Sequence, residues 1–262
     1  MKVHFAGNGV QVNALLAAGV QYNLMSFYDI QVRNKKSDGD IHTWNKFKHL
    51  IIDSGLFTFM FGSEAKKDLT MEFCEDWLNK YINFVNRTDF RNASFVEMDV
   101  QKCLGVEEAW ELRKRMKAEI NKGVVINVYH LEDEDPTDLI DYCDYIAISL
   151  PELRLNVSQK ERKQIVAYIT KKAQLKGKKV HILGCTEKKY MEMFSMCESC
   201  DSTSWTSALR WGRITSSHGT YATKLLDAQK KAMRGFTKQN KNTFWSALFS
   251  LQLYNSTAGD QS

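Results

Sequence analysis

Lys179-Val180-His181-Ile182-Leu183-Gly184-Cys185 and Ser199-Cys200-Asp201-Ser202-Thr203-Ser204-Trp205 decide how the rest of the chain is read. The first is a short apolar, β-branched run closed by glycine, the pattern of a buried strand. The second places a carboxylate within or just after another such run. Working outward, six further runs have the same character: Lys2–Ala6, Asn23–Tyr28, Leu50–Asp53, Ser94–Asp99, Val124–Tyr129 and Tyr145–Leu150. Between most of them lie stretches of helical period. Met71–Val85 carries Phe73, Trp77, Leu78, Tyr81, Ile82 and Val85 at three- and four-residue steps, and Glu107–Ile120 and Gln159–Gln174 follow the same logic.

Eight strands alternating with helices predict an α/β protein of the (β/α)8 TIM-barrel type, with a doubly wound open sheet as the runner-up. The length of 262 residues suits one such domain, and only two prolines interrupt it. The expected organisation is a single barrel over residues 1–255 and a flexible tail over 256–262. Residues 29–48 read as an irregular loop with Lys35–Asp40 at its tip and no helix. A helix or two from Thr220 to about Tyr254 would wrap the outside.

In a barrel, chemistry gathers at the carboxyl ends of the strands. Asp53 follows the third strand, Asp99 the fourth, Tyr129 and His130 the fifth, and Ser149 the sixth; Gly184 closes the seventh, and Asp201 lies at the eighth. Any one aspartate reads equally well as the cap of a following helix. Three together, with no nearby Lys or Arg, would be costly to bury for stability alone. They favour a site built on carboxylates.

These residues carry a resemblance. Asp53-Ser54-Gly55-Leu56-Phe57 resembles the Asp-Ser-Gly-Gly-Phe motif of tRNA-guanine transglycosylases. Val96-Glu97-Met98-Asp99 resembles the strand with that family's base-reading aspartate. His181-Ile182-Leu183-Gly184 is similar to its Tyr-Leu-Met-Gly segment, and Asp201-Ser202-Thr203-Ser204-Trp205 to its nucleophile loop. The order holds over about residues 49–214. The resemblance implies Asp201 as nucleophile on the anomeric carbon and Asp53 as general acid and base. It implies Asp99 as acceptor for the purine amine and ring N–H, with Ser54, Ser149, Leu183 and Gly184 around the base. Gly184 would let the base approach the main chain closely. The family's fifth-strand glutamine has no clear counterpart; Asn127 and His130 are the candidates for its place.

The family's structural zinc motif, a Cys-x-Cys-x-x-Cys and a His after the nucleophile, is not matched, because no cysteine follows Asp201. Cys197, Cys200, His218 and either His181 or Cys185 are the alternative donors, but Cys200 belongs to a core strand. No cofactor is expected, zinc included. A zinc-free relative resembles the branch that inserts 7-deazaguanines into DNA in phages and bacteria. The expected partners are therefore DNA, with tRNA as the alternative, and a 7-deazaguanine base such as 7-cyano-7-deazaguanine. A homodimer is allowed. A guanine in DNA must leave the stack to be reached; Trp205 is the candidate to stack beside it and Arg210 and Arg213 to grip flanking phosphates. Trp205 and Trp211 read equally as core residues.

Bulk properties agree with a globular enzyme and narrow little else. The chain is 44% hydrophobic and 26% charged, with a net charge of +5. Lys224, Lys230, Lys231, Arg234, Lys238 and Lys241 stand against Asp227 alone, either a solvated helix face or a phosphate-tracking surface. Met1–Ala6, soon followed by Asn8, Gln11 and Asn13, does not read as a signal peptide, no run is long enough to span a membrane, and the six cysteines suit a reducing compartment. A cytoplasmic location is expected, the host's if the protein is phage-encoded. Outside the transglycosylases, a non-catalytic nucleic-acid-binding barrel and a glycoside hydrolase with paired carboxylates are the rivals.

Overall fold

Alternation along the strands builds the fold. In the computed structural model, which describes residues 1–7, 12–31, 40–61, 69–185, 187–206, 231 and 234–258, eight strands run β1 Lys2–Ala6, β2 Tyr22–Ser26, β3 His49–Asp53, β4 Ala93–Val96, β5 Val124–Tyr129, β6 Tyr145–Ser149, β7 Lys179–Leu183 and β8 Ser199–Ser202. Each pairs in parallel with the next, and β1 pairs with β8 through Lys2 with Ser199 and His4 with Asp201, so the sheet closes into a barrel. This is a single (β/α)8 barrel.

Every second side chain enters the barrel. Ala6, Leu24, Ile51, Val96, Ile126, Val128, Tyr145 and Ala147 form one buried cluster inside it. The intervening residues, among them Phe5, Met25, Ile52, Phe95, Ile146 and Ile182, pack against the helices in a second, larger cluster. The strands thus bury apolar residues on both faces, as a sheet covered by helices requires, with polar residues inside only toward the two mouths.

Helices form at the three stretches of helical period, 71–85, 107–120 and 159–174, and in shorter segments elsewhere among the described residues. They are α1 Val12–Ala18, α2 Phe27–Gln31, α3 Ile41–Trp44, α4 Leu56–Phe61, α5 Met71–Arg87, α6 Val106–Glu119, α7 Thr137–Tyr142, α8 Leu150–Asn156, α9 Gln159–Leu175, α10 Lys188–Met193 and α11 Lys238–Ala258. The Thr70 side chain accepts the Phe73 N–H and caps α5, which buries Trp77, Leu78, Tyr81, Ile82 and Val85. Ser158 and Glu161 form a reciprocal capping box at the start of α9.

Three expectations change. The described parts of the stretch 29–48 hold two short helices where none was expected, since Phe27 and Tyr28 leave β2 to open α2, and α3 follows at Ile41; residues 32–39 between them, the loop tip included, are outside the described residues. Asp40 caps α3 by accepting the Thr43 N–H at 3.0 Å, and Trp44 is buried on Phe90. At the other end α11 continues through Ala258, past the expected start of the tail, because Phe244, Ala247 and Leu248 are buried in the outer layer while α11 packs on α1 and α10. Strand β4 stops at Val96, so Glu97–Asp99 lie beyond it. Among the described residues, no helix is long and apolar enough to cross a membrane.

Candidate active site

Asp53 is the last residue of β3 and Asp201 lies near the end of β8. Both follow inward-facing positions by two steps: Ile51 faces the barrel interior, and Ser199 bonds there to Tyr145 and His181. The period of the strand therefore delivers both carboxylates to the carboxyl-terminal mouth. Asp99 joins them from the segment after β4, and its charge is felt by Asp53.

Asp201 is held by two donors. Its Oδ1 accepts the backbone N–H of Gly184 at 2.9 Å and lies 3.3 Å from His181 Nε2. The other imidazole nitrogen, Nδ1, is 2.5 Å from Ser199 Oγ, which in turn meets the Tyr145 hydroxyl at 2.6 Å. The buried chain Tyr145–Ser199–His181 orients the carboxylate from below.

Asp53 is held from behind. The Trp77 indole donates to the Ser54 carbonyl at 2.9 Å, and the Tyr81 hydroxyl to the Ile52 carbonyl at 2.7 Å. Helix α5 so clamps the main chain on both sides of Asp53. The side chain accepts the Gly55 N–H at 2.6 Å. Gly55 has φ +78°, and a Cβ there would lie 2.5 Å from Tyr28 Cβ, so the turn requires glycine. Burial, followed by the charge of Asp99, pushes the Asp53 carboxyl up to about 7; the Gly55 N–H opposes this and Asp201 adds to it. Asp53 can both hold and release a proton near neutral pH.

Asp99 faces a buried ion-pair network. His130 Nε2 lies 3.5 Å from Asp99 Oδ2, and His130 Nδ1 lies 2.7 Å from Glu152 Oε2. Lys102 Nζ approaches the other Glu152 oxygen at 3.5 Å. Burial works against a charged imidazole here, but the carboxylates of Asp99 and Glu152 outweigh it and raise His130 to about 10. The ring is an imidazolium with a carboxylate on each side. Its backbone N–H donates to Asp133 at 2.9 Å, which fixes the turn after β5.

No known protein-family model matches the chain, and no curated protein matches it. The site must speak through its own geometry.

The mouth brings together Asp53, Asp99, His130, Gly184 and Asp201, with Ser149 and Leu183 at the inward-facing ends of β6 and β7. Ser54 is buried beside Asp53, and its hydroxyl has no hydrogen-bond partner among the described residues. Gly184 also makes room for a neighbouring side chain. At φ +65° a Cβ there would lie 2.5 Å from Pro151 Cγ, so its bare Cα makes room for the proline, and its N–H serves Asp201.

Two residues go elsewhere. Asn127 lies between the inward-facing Ile126 and Val128, so it points into the helix layer. There its amide donates to Glu97, which is also paired at 2.8 Å with both Nε and a terminal nitrogen of Arg113 on α6. Asn127 supports this buried pair and does not line the mouth. Trp205 is buried, lies against Phe5 and donates to the Ala6 carbonyl at 2.8 Å, which leaves its ring no face for a nucleobase. Arg210, Arg213, Trp211 and His218 lie outside the described residues. Of the alternative zinc donors, His181 faces the barrel interior, whereas Cys185, Cys197 and Cys200 sit in the outer cluster, Cys200 beside Cys185 and Cys197 against Thr170 at 3.4 Å; among the described residues these thiols do not come within metal-holding distance as a set of three.

Among the described residues, His130, Glu132 and Glu152 form the one group whose ligand atoms lie close enough, within 4.8 Å, to hold a metal ion. The imidazolium and Lys102 already pair with Glu152. Sequence reasoning missed Glu152, Lys102 and the orienting role of His181. The signal for Glu152 was Leu150-Pro151-Glu152 directly after β6, where Pro and an acid mark a first helical turn.

Proposed function

We propose that this protein is a base-exchanging transglycosylase that replaces guanine in DNA with a 7-deazaguanine. The observation that carries the reading is the pairing of two carboxylates in unlike surroundings. Asp201 is held by an N–H and an imidazole in position to attack, while Asp53 is raised to about 7 and suited to proton transfer.

The chemistry balances with these groups alone. An Asp201 oxygen attacks the anomeric carbon of the extruded deoxyguanosine as the bond to the base nitrogen breaks, and the electron pair of that bond leaves with guanine. Protonated Asp53 gives the departing base its proton and is left as a carboxylate. The incoming 7-deazaguanine loses its ring N–H proton to Asp53, attacks the same carbon and displaces Asp201. Two inversions retain the configuration of the sugar. Asp99 accepts the amine and ring N–H of either purine, and the His130 imidazolium behind it holds that carboxylate in place.

A base-exchange assay tests the reading. DNA and tRNA carrying labelled guanine are offered separately with 7-cyano-7-deazaguanine to the wild type and to Asp201→Ala. Guanine release from DNA alone, lost in the variant, is the expected outcome. Release from tRNA alone would move the activity to RNA. Exchange surviving Asp201→Ala would remove it as nucleophile, and no release from either polymer would overturn the proposal.

A further inference from the structure

The opposite mouth of the barrel, made by the amino-terminal ends of the strands, opens on a cavity of ≈ 320 Å³. Lys2, Lys48, Arg91, Lys122 and Lys179 line it, against Glu198 as the one carboxylate among the described residues of its lining. Glu198 is ion-paired with Lys2, and Lys122 donates to the Thr88 carbonyl at 2.8 Å. Lys179 shares the field of that same Glu198, so one carboxylate stands against five cations, and Lys48 and Arg91 have no ion pair with it. The floor is polar as well. His4 Nε2 and His49 Nδ1 meet at 3.0 Å, His49 Nε2 lies 3.2 Å from Ser94 Oγ, and Tyr145 completes the wall.

Such a floor is unusual at this end of a barrel, where packing alone would favour branched apolar side chains. Burial, then the positive charge of Lys2 and the proximity of His181 and Lys179, brings His49 down to about 4. Burial, then His181 and His49, also drives His4 well below its ordinary value. Both rings are therefore neutral at physiological pH and add hydrogen-bonding groups without charge. The cationic rim retains an unbalanced field inside a concave wall, the condition that concentrates an anion. Several cations, one of them a planar guanidinium, suit a multiply charged oxyanion better than a lone carboxylate. The cavity is enclosed by strand ends on several sides, and its volume lies near the lower end of the ~300–1,000 Å³ typical of small-ligand pockets. It admits a small molecule and excludes a duplex.

We infer that the amino-terminal mouth of the barrel is a second binding site, for a small molecule bearing a phosphate or pyrophosphate group, held by Lys48, Arg91 and Lys179 over the His4–His49 floor. It faces away from Asp53 and Asp201 and is independent of the proposed exchange reaction.

The test is calorimetric titration of the full chain with pyrophosphate, with sodium sulfate, sodium chloride and a short DNA duplex in parallel at matched ionic strength. Lys48 and Lys179 are exposed, so the double variant Lys48→Ala/Lys179→Ala should keep its fold, which circular dichroism checks. Saturable one-to-one binding of pyrophosphate, weakened about tenfold or more in the double variant, is expected. Shifts of the His49 ring signals in nuclear magnetic resonance should accompany binding to the wild type. Three results would overturn the site: no saturation, binding that follows ionic strength whatever the anion, or equal affinity in the variant. Binding of the duplex without pyrophosphate binding would replace it with a backbone-contacting surface.

Discussion

Asp201 Oδ1 accepts the main-chain N–H of Gly184 at 2.9 Å, so the carboxylate of β8 is fixed by the last turn of the neighbouring strand β7. The same glycine presses its bare Cα against Pro151 at the start of α8. Two strand ends and the start of α8 therefore share one contact. Gly184→Ala places a methyl group into Pro151 at a positive φ and should cost about 1–3 kcal/mol of stability. Urea denaturation measures this, and exchange activity at a temperature where the variant stays folded should fall more than its folded fraction.

The pH dependence should follow Asp53. With its carboxyl raised to about 7, the general acid is lost as pH rises through that value, and the exchange rate should decline above it. Stability moves the same way. Between about 4 and 7 the native state holds a proton that the unfolded chain has released, so stability falls with rising pH across this window and levels above it. Asp53→Asn should abolish exchange yet be more stable relative to wild type at pH 8 than at pH 4. Denaturation curves at the two pH values decide this, and equal differences would remove the buried carboxyl as the cause.

Trp77 and Tyr81 are positioning residues, each donating to a carbonyl beside Asp53. Tyr81→Phe and Trp77→Phe should each cost about 1–3 kcal/mol, because a buried carbonyl loses its partner. The turnover number should drop while KM for the free base stays near the wild-type value. The pH at which the rate declines should also shift, a change that a purely structural role would not produce.

His130 is poised between Asp99 and Glu152, and its raised value of about 10 ties stability to its charge. That contribution is fully present below about 6.5 and is lost as pH rises through about 10. His130→Ala leaves Glu152 buried beside Lys102 alone and should cost about 3–5 kcal/mol. Ring-nitrogen resonances should show an imidazolium at pH 8. A neutral ring at that pH would contradict the network.

The barrel was legible along the chain because alternation is local. In Lys179–Leu183 or Val124–Tyr129 the strand is written in consecutive residues, and eight such runs separated by amphipathic helices leave few ways to bury both faces of the sheet. Asp53 and Asp201 were legible for the same reason, since a strand's period carries each to the barrel mouth. The short helix α3 was there to be read in its Asp40 cap, but four residues carry too little periodicity to stand out. Tertiary structure alone decided what surrounds each group. Asn127 turned outward because its neighbours Ile126 and Val128 fill the barrel, and Trp205 became a core residue because the Ala6 carbonyl of β1 lies within its reach. The His130–Glu152 pair and the proton affinity of Asp53 likewise depend on carboxylates brought together from β3, β8, α8 and the segment after β4. A sequence states which residues alternate; burial and charge at a site are sums over neighbours distant in the chain, and those exist only once the barrel has closed.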